Sequence, residues 1–415
     1  MVKALDMLEN EAEFDVVIVG AGMVGASTAL GVSDLGLSVL LIDSFAFQST
    51  MPDYTPSYDA RSTAISWGSR DILNQLNVWA DVSDHASPIS HVHVSEKGRF
   101  GVTRMSADEL KREALGYVVP NQWLGQCLLK KIEEQQIPLC APAKVTSIHS
   151  VDGRQLICLE AKDASTARSK NISARLIIIA DGTCSSTAGL LGIENDVEQY
   201  GQHALIANIT TELPNDGVAY ERFTSGGPLA LLPLTERSSA LVWTHDSESI
   251  QTFLDMSDDV FCQALQDAFG ERLGRITRCG ARNSYPLRLV RAKEQYRPGI
   301  LLLGNAAHSL HPVAGQGFNL ALRGVSTFLE TLKKVELIRG DIGEISILKG
   351  LSDERAKDQA TTILFSDQVV KVFGHSSLLV GLARDMGLIA LNNFPMLKSV
   401  FASQAMGLAG KKARF

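Results

Sequence analysis

Three glycine-rich segments, far apart along the chain, most constrain what this sequence can fold into. They are Gly20-Ala21-Gly22-Met23-Val24-Gly25, the Asp181-Gly182 turn, and a block that begins at Gly304-Asn305 and ends at Gly315-Gln316-Gly317-Phe318-Asn319. Glycine turns that open a helix place backbone amides where they can hold a phosphate. We therefore predict one nucleotide site assembled from separate pieces, with a cofactor too long for a single loop.

The first segment has the surroundings that a dinucleotide-binding fingerprint requires. Residues 14–19 form a short β-branched run, which predicts a buried parallel strand. Gly20 permits the tight turn, Gly22 lets the backbone approach a pyrophosphate, and Gly25 allows close contact between helix and strand. A second apolar run ends at Asp43, the acid expected to bind a ribose hydroxyl. This pattern predicts a Rossmann-like domain, and the spread of the three segments favours FAD as its ligand.

Composition and charge exclude several classes of function. A chain of 415 residues is long enough for two or more domains. The net charge of −7 argues against nucleic acid as a partner. The acidic stretch at residues 1–13 lacks the apolar centre of a signal peptide, and the six cysteines lack metal-ligand spacing. His308 and His311 are three residues apart, but no third ligand accompanies them. We expect a cytoplasmic protein without a metal.

The alternation of apolar and polar residues divides the chain further. Residues 200–290 alternate over short runs, which predicts a mostly antiparallel sheet with one covered face. Patterns of buried strands precede and follow this region, which indicates that the sheet is inserted between two parts of the nucleotide domain. From Val325 onward the pattern predicts helices. We predict an α/β fold with this domain order: 1–198, the first part of the FAD-binding domain with minor excursions into the substrate domain; 199–295, the β-sheet substrate domain; 296–330, the return of the FAD-binding domain; 331–415, C-terminal helices.

The motifs and their order resemble the single-component flavoprotein aromatic hydroxylases and, among these, the ubiquinone-biosynthesis hydroxylases. The resemblance extends from about residue 14 to 408 and is most specific in two segments, Tyr58-Asp59-Ala60-Arg61-Ser62-Thr63-Ala64 and His311-Pro312-Val313-Ala314-Gly315-Gln316-Gly317-Phe318-Asn319. Asn305 stands where the larger family usually has Asp, and Ala188 where it commonly has Arg. Both departures resemble the branch that hydroxylates 2-polyprenyl-6-methoxyphenol.

The resemblance implies aromatic hydroxylation with FAD as cofactor. NAD(P)H reduces the flavin, O2 adds at its C4a atom, and the hydroperoxide transfers oxygen to an electron-rich phenol. A helix that begins near Phe318 or Asn319 would direct its N-terminal amides at the flavin N1 and C2 carbonyl. No second Gly-x-Gly-x-x-Gly motif follows a strand, so NAD(P)H binds transiently at the flavin or a partner supplies electrons. The pattern names no catalytic acid or base.

The resemblance also assigns residues to the cofactor and to the substrate. Beside the three glycine segments and Asp43, the cofactor set contains Arg61, Asn121, Val145 and Pro312. Arg61 can instead be a solvated loop charge, and Asn121 can instead cap the helix that follows it. The apolar segment 226–234, with Leu232 and Pro233, is the candidate substrate wall, and its alternative is a core strand without substrate contact.

Other functions of the same scaffold stay open at this point. A sister ring hydroxylase, a prenyl reductase or a halogenase are alternatives, as is a non-catalytic flavoprotein that supports a biosynthetic complex. A halogenase would carry a Trp-x-Trp-x-Ile-Pro element, which the tryptophans at 67, 79, 123 and 243 do not form.

The C-terminal segment suggests contact with a membrane surface. From Lys371 to Phe415 the chain has six basic residues and one acidic residue, Asp385, a local balance of +5. Its uncharged run from Met386 to Leu397 is shorter than the roughly 20 residues that a membrane-spanning helix needs. We expect either peripheral docking on an anionic surface, close to the source of a prenylated phenol, or a helical pair packed on the protein's own core.

Overall fold

In the computed structural model, the described residues are 2–3, 8–46, 61–161, 169–310, 315–338, 340–374, 385–387, 390, 392–394 and 415. Side chains are described over the same ranges apart from 2–3 and 365–374.

The described strands and helices are numbered here in chain order. The strands are β1 Val2–Lys3, β2 Ala12–Val19, β3 Val39–Ile42, β4 Ser62–Ser66, β5 Ser87–Ile89, β6 His91–Glu96, β7 Val102–Ser106, β8 Gly116–Pro120, β9 Leu139–Cys140, β10 Ala143–Val151, β11 Arg154–Ala161, β12 Ser169–Ile179, β13 Asn195–Thr211, β14 Val218–Thr224, β15 Gly227–Pro233, β16 Ser238–Asp246, β17 Ile276–Cys279, β18 Asn283–Ala292, β19 Tyr296–Arg297, β20 Ile300–Leu302 and β21 His308–Ser309. The helices are α1 Met23–Asp34, α2 Trp67–Gln75, α3 Trp79–Val82, α4 Asn121–Glu134, α5 Ser186–Leu190, α6 Ile250–Asp255, α7 Asp258–Phe269, α8 Gln316–Leu337 and α9 Ile345–Gly374.

The first sheet is parallel at its centre and contains the buried strands that the sequence predicts. Strands β1, β9, β3, β2, β12 and β20 run parallel in that order, while β11 and β10 add an antiparallel edge to the first half of β12. The four residues 16–19 are buried, as β-branched runs in parallel sheets generally are. The predicted strand–turn–helix–strand unit is confirmed, because β2 leads through the glycine turn into α1 and then β3.

The second sheet is the mostly antiparallel sheet that the alternation predicts. Its order is β21-β18-β13-β16-β15-β14-β6-β7, with β17 beside β13, and only the β14–β6 pair is parallel. Strands β6 and β7 come from the N-terminal part of the chain. The predicted boundary at residue 199 falls within β13, which begins at Asn195.

The two faces of this sheet have different partners because side chains alternate along each strand. Leu229, Leu231, Leu241 and Trp243 are buried in one cluster with Phe261 of α7. Their neighbours on the opposite face line a cavity, among them Ala230, Leu232, Ala240 and Val242. The sheet therefore uses one face for stability and the other to bound an interior space.

Helix α8 packs closely against α1 under the first sheet. A Cβ atom on Gly31 of α1 would lie 2.2 Å from the Cδ1 atom of Leu329. Helix α8 begins at Gln316, two to three residues before the expected start near Phe318 or Asn319, because Gly315 in the left-handed conformation (φ 61°) turns the chain into the helix. A small three-stranded sheet, β4-β8-β5, lies beside these elements.

Removing a large buried side chain from α7, which covers one face of the second sheet, should destabilise the fold. Phe261 is fully buried, and its ring lies edge-on to that of Trp243 at 6.1 Å. We expect Phe261→Ala to lower the free energy of unfolding by about 3–5 kcal/mol, since the lost contacts leave a cavity. The neighbouring Val260→Ala, at a position 54% exposed, should cost less than about 0.5 kcal/mol. Equal urea midpoints for the two variants would contradict this packing.

Candidate active site

The glycine turn between β2 and α1 is formed by backbone packed on backbone. Gly20 has a φ of 103°, and a Cβ atom there would lie 2.5 Å from the carbonyl oxygen of Ala180. A Cβ atom on Gly25 would lie 1.8 Å from the carbonyl oxygen of Gly20. No side chain fits at either position without moving backbone. These two glycines therefore hold the start of α1 against the carboxyl ends of β2 and β12.

Asp43 fixes the same turn from the end of β3. Its Oδ2 accepts a hydrogen bond from the backbone N–H of Ala21 at 2.7 Å, and its Oδ1 accepts one from the N–H of Phe45 at 2.9 Å. The carboxylate also lines the interior cavity. Asp43 is thus positioned by the turn that it stabilises, at the edge where a bound nucleotide would place its ribose.

Asp181 belongs to the second glycine-rich segment and lines the same cavity as Asp43. Its Oδ2 accepts a hydrogen bond from the N–H of Thr187 at 3.2 Å, whereas its buried Oδ1 has no hydrogen-bond partner among the described residues. A buried carboxylate oxygen without a partner is costly unless a ligand supplies a donor. The adjacent Gly182 has a φ of 96° and also lines the cavity.

The third glycine-rich segment packs against the first turn of α1. Gly304, with a φ of 59°, lies under Val24, whose Cγ1 atom would be 3.0 Å from a Cβ atom at this position. Asn305 lines the cavity next to it. Gly315 and Gln316 begin α8, whose first turn has no side-chain cap in the described part of the chain. Uncapped N-terminal amides favour negative charge in front of them.

Asn319 holds this helix start to the neighbouring strand. Its Oδ1 accepts a hydrogen bond from the N–H of Ser66 at 2.9 Å. Its Nδ2 donates to the carbonyl oxygens of Ala64 at 2.8 Å and Gly315 at 2.7 Å. Both hydrogens of the Asn319 side-chain amide are therefore used within the protein, where they position the loop, while the residue also lines the cavity where it was predicted to bind the cofactor.

Arg61 and Asn121 both line the cavity. The guanidinium of Arg61 lies 4.7 Å from the ring centre of Tyr285, so Arg61 is not a solvated loop charge. The alternative that Asn121 caps its helix is wrong, because Pro120 occupies the cap position and Asn121 is the first helical residue. The buried Asn121 side chain accepts a hydrogen bond from the Thr63 hydroxyl at 2.6 Å instead.

One cavity of about 1330 Å³ brings most of the predicted residues together. Ala21, Gly25 and Gly304 do not line it, but Gly25 and Gly304 pack against the lining residues Gly20 and Val24. Pro233 follows the cavity-lining Leu232 but is not part of the lining, and Pro312 lies outside the described residues. The predicted residues that line the cavity are Gly20, Gly22, Met23, Val24, Asp43, Arg61, Asn121, Val145, Asp181, Gly182, Leu232, Asn305, Gly315, Gln316, Gly317, Phe318 and Asn319.

The cavity also has polar lining residues that the motifs do not contain. Thr183, Ser186 and Thr187 follow the Asp181-Gly182 turn directly, so their proximity to that motif could have indicated them. Lys144, Arg288 and Tyr285 reach the cavity from β10 and β18, and Glu221 reaches it from β14. The spacing of residues in the sequence does not indicate these last four lining residues, because strands that are distant in sequence bring them together.

His308 is buried behind this site. Burial, and then the nearby Arg355 and Arg323, lower the pKa of His308 to about 3, so its imidazole is neutral at physiological pH. His311, the other member of the spaced pair, lies outside the described residues.

Comparison with known proteins agrees with this geometry. The family described as FAD binding domain matches residues 13–362. The ubiquinone hydroxylase UbiL of Rhodospirillum rubrum is 31% identical over 95% of this chain and 89% of its own length. The 3-demethoxyubiquinol 3-hydroxylase of Escherichia coli is 30% identical over 95% and 98%. Among solved structures, the p-nitrophenol 4-monooxygenase of Pseudomonas putida aligns with a TM-score of 0.77 at 16% identity, covering 96% of this chain and 99% of that one, which shows a shared fold.

The fold and the site define an FAD-dependent aromatic-ring monooxygenase. The chain belongs to the family of FAD-dependent ubiquinone hydroxylases.

The residues present fit FAD. Side-chain-free turns at Gly20 and Gly22 lie at the N-terminus of α1. Among the described residues, Oδ1 of Asp181 has no hydrogen-bond partner and the first turn of α8 has no side-chain cap. A pyrophosphate suits the first feature, a ribityl or ribose hydroxyl the second, and the electron-rich edge of the flavin the third.

Replacing Gly22 should remove the flavin while leaving the fold intact. Gly22 has an extended backbone, with φ −64° and ψ 178°, which any residue can adopt. We expect Gly22→Val to lose most flavin absorbance after gel filtration, because the branched side chain would occupy the position of the pyrophosphate. The matched control is Gly189→Val, whose Cβ atom would meet nothing within 4 Å. Full flavin retention by Gly22→Val would contradict the assignment.

Proposed function

We propose that this enzyme hydroxylates the aromatic ring of a polyprenylated phenol in ubiquinone biosynthesis, and that its substrate is 2-polyprenyl-6-methoxyphenol. One observation carries the proposal. The nucleotide cradle and the apolar inner face of the second sheet bound the same cavity. Its volume of about 1330 Å³ exceeds the roughly 300–1,000 Å³ of most small-molecule pockets, so there is room for FAD and a second, hydrophobic ligand.

The chain's own residues determine what happens around the cofactor. Bound FAD, with NAD(P)H and O2, supplies the oxidising chemistry. Small and apolar side chains on the sheet, such as Ala230, Leu232 and Val242, exclude water from the space beside it. The first amides of α8, at Gln316 and Gly317, line the cavity and would stabilise negative charge on bound flavin.

The biosynthetic role is tested by deleting the gene in its host. We expect the deletion strain to accumulate a methoxylated polyprenyl phenol that lacks one ring hydroxyl, and a plasmid copy of the gene should restore ubiquinone. Accumulation of a precursor without the methoxy group would indicate a sister hydroxylase. Unchanged ubiquinone with no accumulated phenol would contradict the proposal.

A charge placed on the substrate side of the cavity should stop turnover without affecting the cofactor. We expect Leu232→Arg to lower the rate of ring hydroxylation by about a hundredfold or more, because the guanidinium would occupy apolar space meant for the phenol. FAD content should stay at the wild-type level. Leu213→Arg, at a position 49% exposed, is the matched control. Joint loss of FAD and activity in Leu232→Arg would support the alternative of a core strand without substrate contact.

The proposal includes peripheral contact with an anionic membrane surface. The described residues contain no helix that is long and apolar enough to cross a membrane. The basic side chains between Lys371 and Arg414 lie outside the described part of the chain, while the terminal Phe415 packs against the core near Gln75. What supports the proposal is the charge of this segment and the bilayer location of a polyprenyl substrate.

Neutralising the basic end of the chain should weaken this contact. We expect Lys411→Gln, Lys412→Gln and Arg414→Gln together to reduce binding to anionic liposomes by about tenfold or more, since each basic residue contributes roughly 1 kcal/mol. The same number of changes at the exposed Lys97, Lys333 and Lys357 should have little effect. Equal partitioning of the wild type into neutral and anionic liposomes at low salt would exclude electrostatic docking.

A further inference from the structure

Glu221 is an ionisable residue on the apolar face of the second sheet. It lies on β14 opposite Ala230 of β15 and Val94 of β6. The row continues to Val242 of β16 on one side and Thr103 of β7 on the other. All five residues line the cavity, and Glu221 is the only one of them that can carry a charge.

The strand alternation confirms which way Glu221 points. Its neighbours Tyr220 and Arg222 contact the opposite, helix-covered side, where the Tyr220 ring lies edge-on to Phe269 at 5.3 Å and Arg222 Nε donates to the carbonyl oxygen of Ala268 at 3.1 Å. Within the described residues the Glu221 carboxyl has neither a hydrogen bond nor an ion pair. An unpaired carboxyl inside an apolar space is costly to keep, which favours a ligand as its partner.

Burial raises the pKa of Glu221 to about 7, and no neighbouring charge contributes to this shift. Adjacent strands present only Ala230 and Val94 to it. The other charged side chains that line the cavity lie after β3 and β12, immediately before β4, and on β10 and β18. They are Asp43, Asp181, Arg61, Lys144 and Arg288. A group that titrates near neutral pH can exchange protons at physiological pH.

We propose that Glu221 is a catalytic residue, the general base that accepts the hydroxyl proton of the phenol as its ring is hydroxylated. This inference rests on the proposed function, because it assigns a residue to that substrate. The phenol O–H bond breaks and a carboxyl O–H bond forms, so the electron pair of the broken bond stays on the phenol oxygen. That oxygen then donates density into the ring, which makes the ring carbon more nucleophilic toward an electrophilic oxygen. When the product leaves, Glu221 returns the proton to solvent.

The test compares Glu221→Gln with the wild-type holoenzyme on a short-chain 2-prenyl-6-methoxyphenol, with NAD(P)H and O2. The Gln side chain keeps the shape and can hydrogen-bond but cannot accept the proton. We expect kcat/KM to fall by about a hundredfold, within the range typical of general-base catalysis. FAD content should be unchanged in this variant, and activity should be unchanged in Glu198→Gln, an exposed acid on β13.

The pH profile separates a catalytic role from a structural one. Because only the carboxylate accepts a proton, wild-type kcat/KM should rise with pH through about 7, and this rise should be absent in Glu221→Gln. Replacing the phenol by its O-methyl ether should abolish the difference between the two proteins. An unchanged profile and rate in Glu221→Gln would overturn the assignment to Glu221. Absence of hydroxylated product from the wild type at every pH would instead overturn the proposed function.

Discussion

The contact of the Gly25 backbone with the carbonyl of Gly20 is the constraint on which the rest of the site depends. With 1.8 Å between that oxygen and a hypothetical Cβ atom, α1 can approach β2 only if residue 25 is glycine. This approach brings the N-terminus of α1 to the edge of the sheet where Asp43 and Asp181 end their strands. Helix α8 then packs against α1, and its own N-terminus faces the same cavity. Two helix N-termini and two strand ends thus converge on one cavity, an arrangement that suits an elongated ligand.

The second sheet adds to the nucleotide-binding domain an apolar surface on which a hydrophobic substrate can bind. Its helix-covered face packs Leu231 and Trp243 against Phe261 in a buried cluster, which stabilises the sheet. The apolar side chains of the opposite face line the cavity. Burial of Glu221 on this face destabilises its charged form, and so the same apolar surroundings that exclude water give that carboxyl a proton affinity suited to neutral pH.

Local motifs predicted the nucleotide half of the fold well, since Gly25 packs on Gly20 within one motif and Asp43 accepts a hydrogen bond from Ala21 within one strand–helix–strand unit, although the contact of Gly20 with Ala180 is long-range. The alternation in residues 200–290 correctly predicted a mostly antiparallel sheet. It did not show that β6 and β7 join this sheet, because their pairing with β14 is a long-range contact. For the same reason Glu221 was missed, although an acid between Ala219 and Phe223 on one face is a detectable departure from the pattern. Asn319 was predicted to bind the cofactor and lines the cavity, but the hydrogen bond from its side-chain amide to Ala64 was not predictable, because only the folded chain brings these two residues within reach.

If one cavity holds both the flavin and a phenol, one oxygen atom of O2 must be transferred to the aromatic ring. The most direct measurement is turnover of a short-chain 2-prenyl-6-methoxyphenol by the purified holoenzyme under ¹⁸O2, followed by mass spectrometry of the product. We expect one ¹⁸O atom in a new ring hydroxyl for each NAD(P)H oxidised. Oxidation of NAD(P)H to give only hydrogen peroxide, with the phenol recovered unchanged, would contradict it.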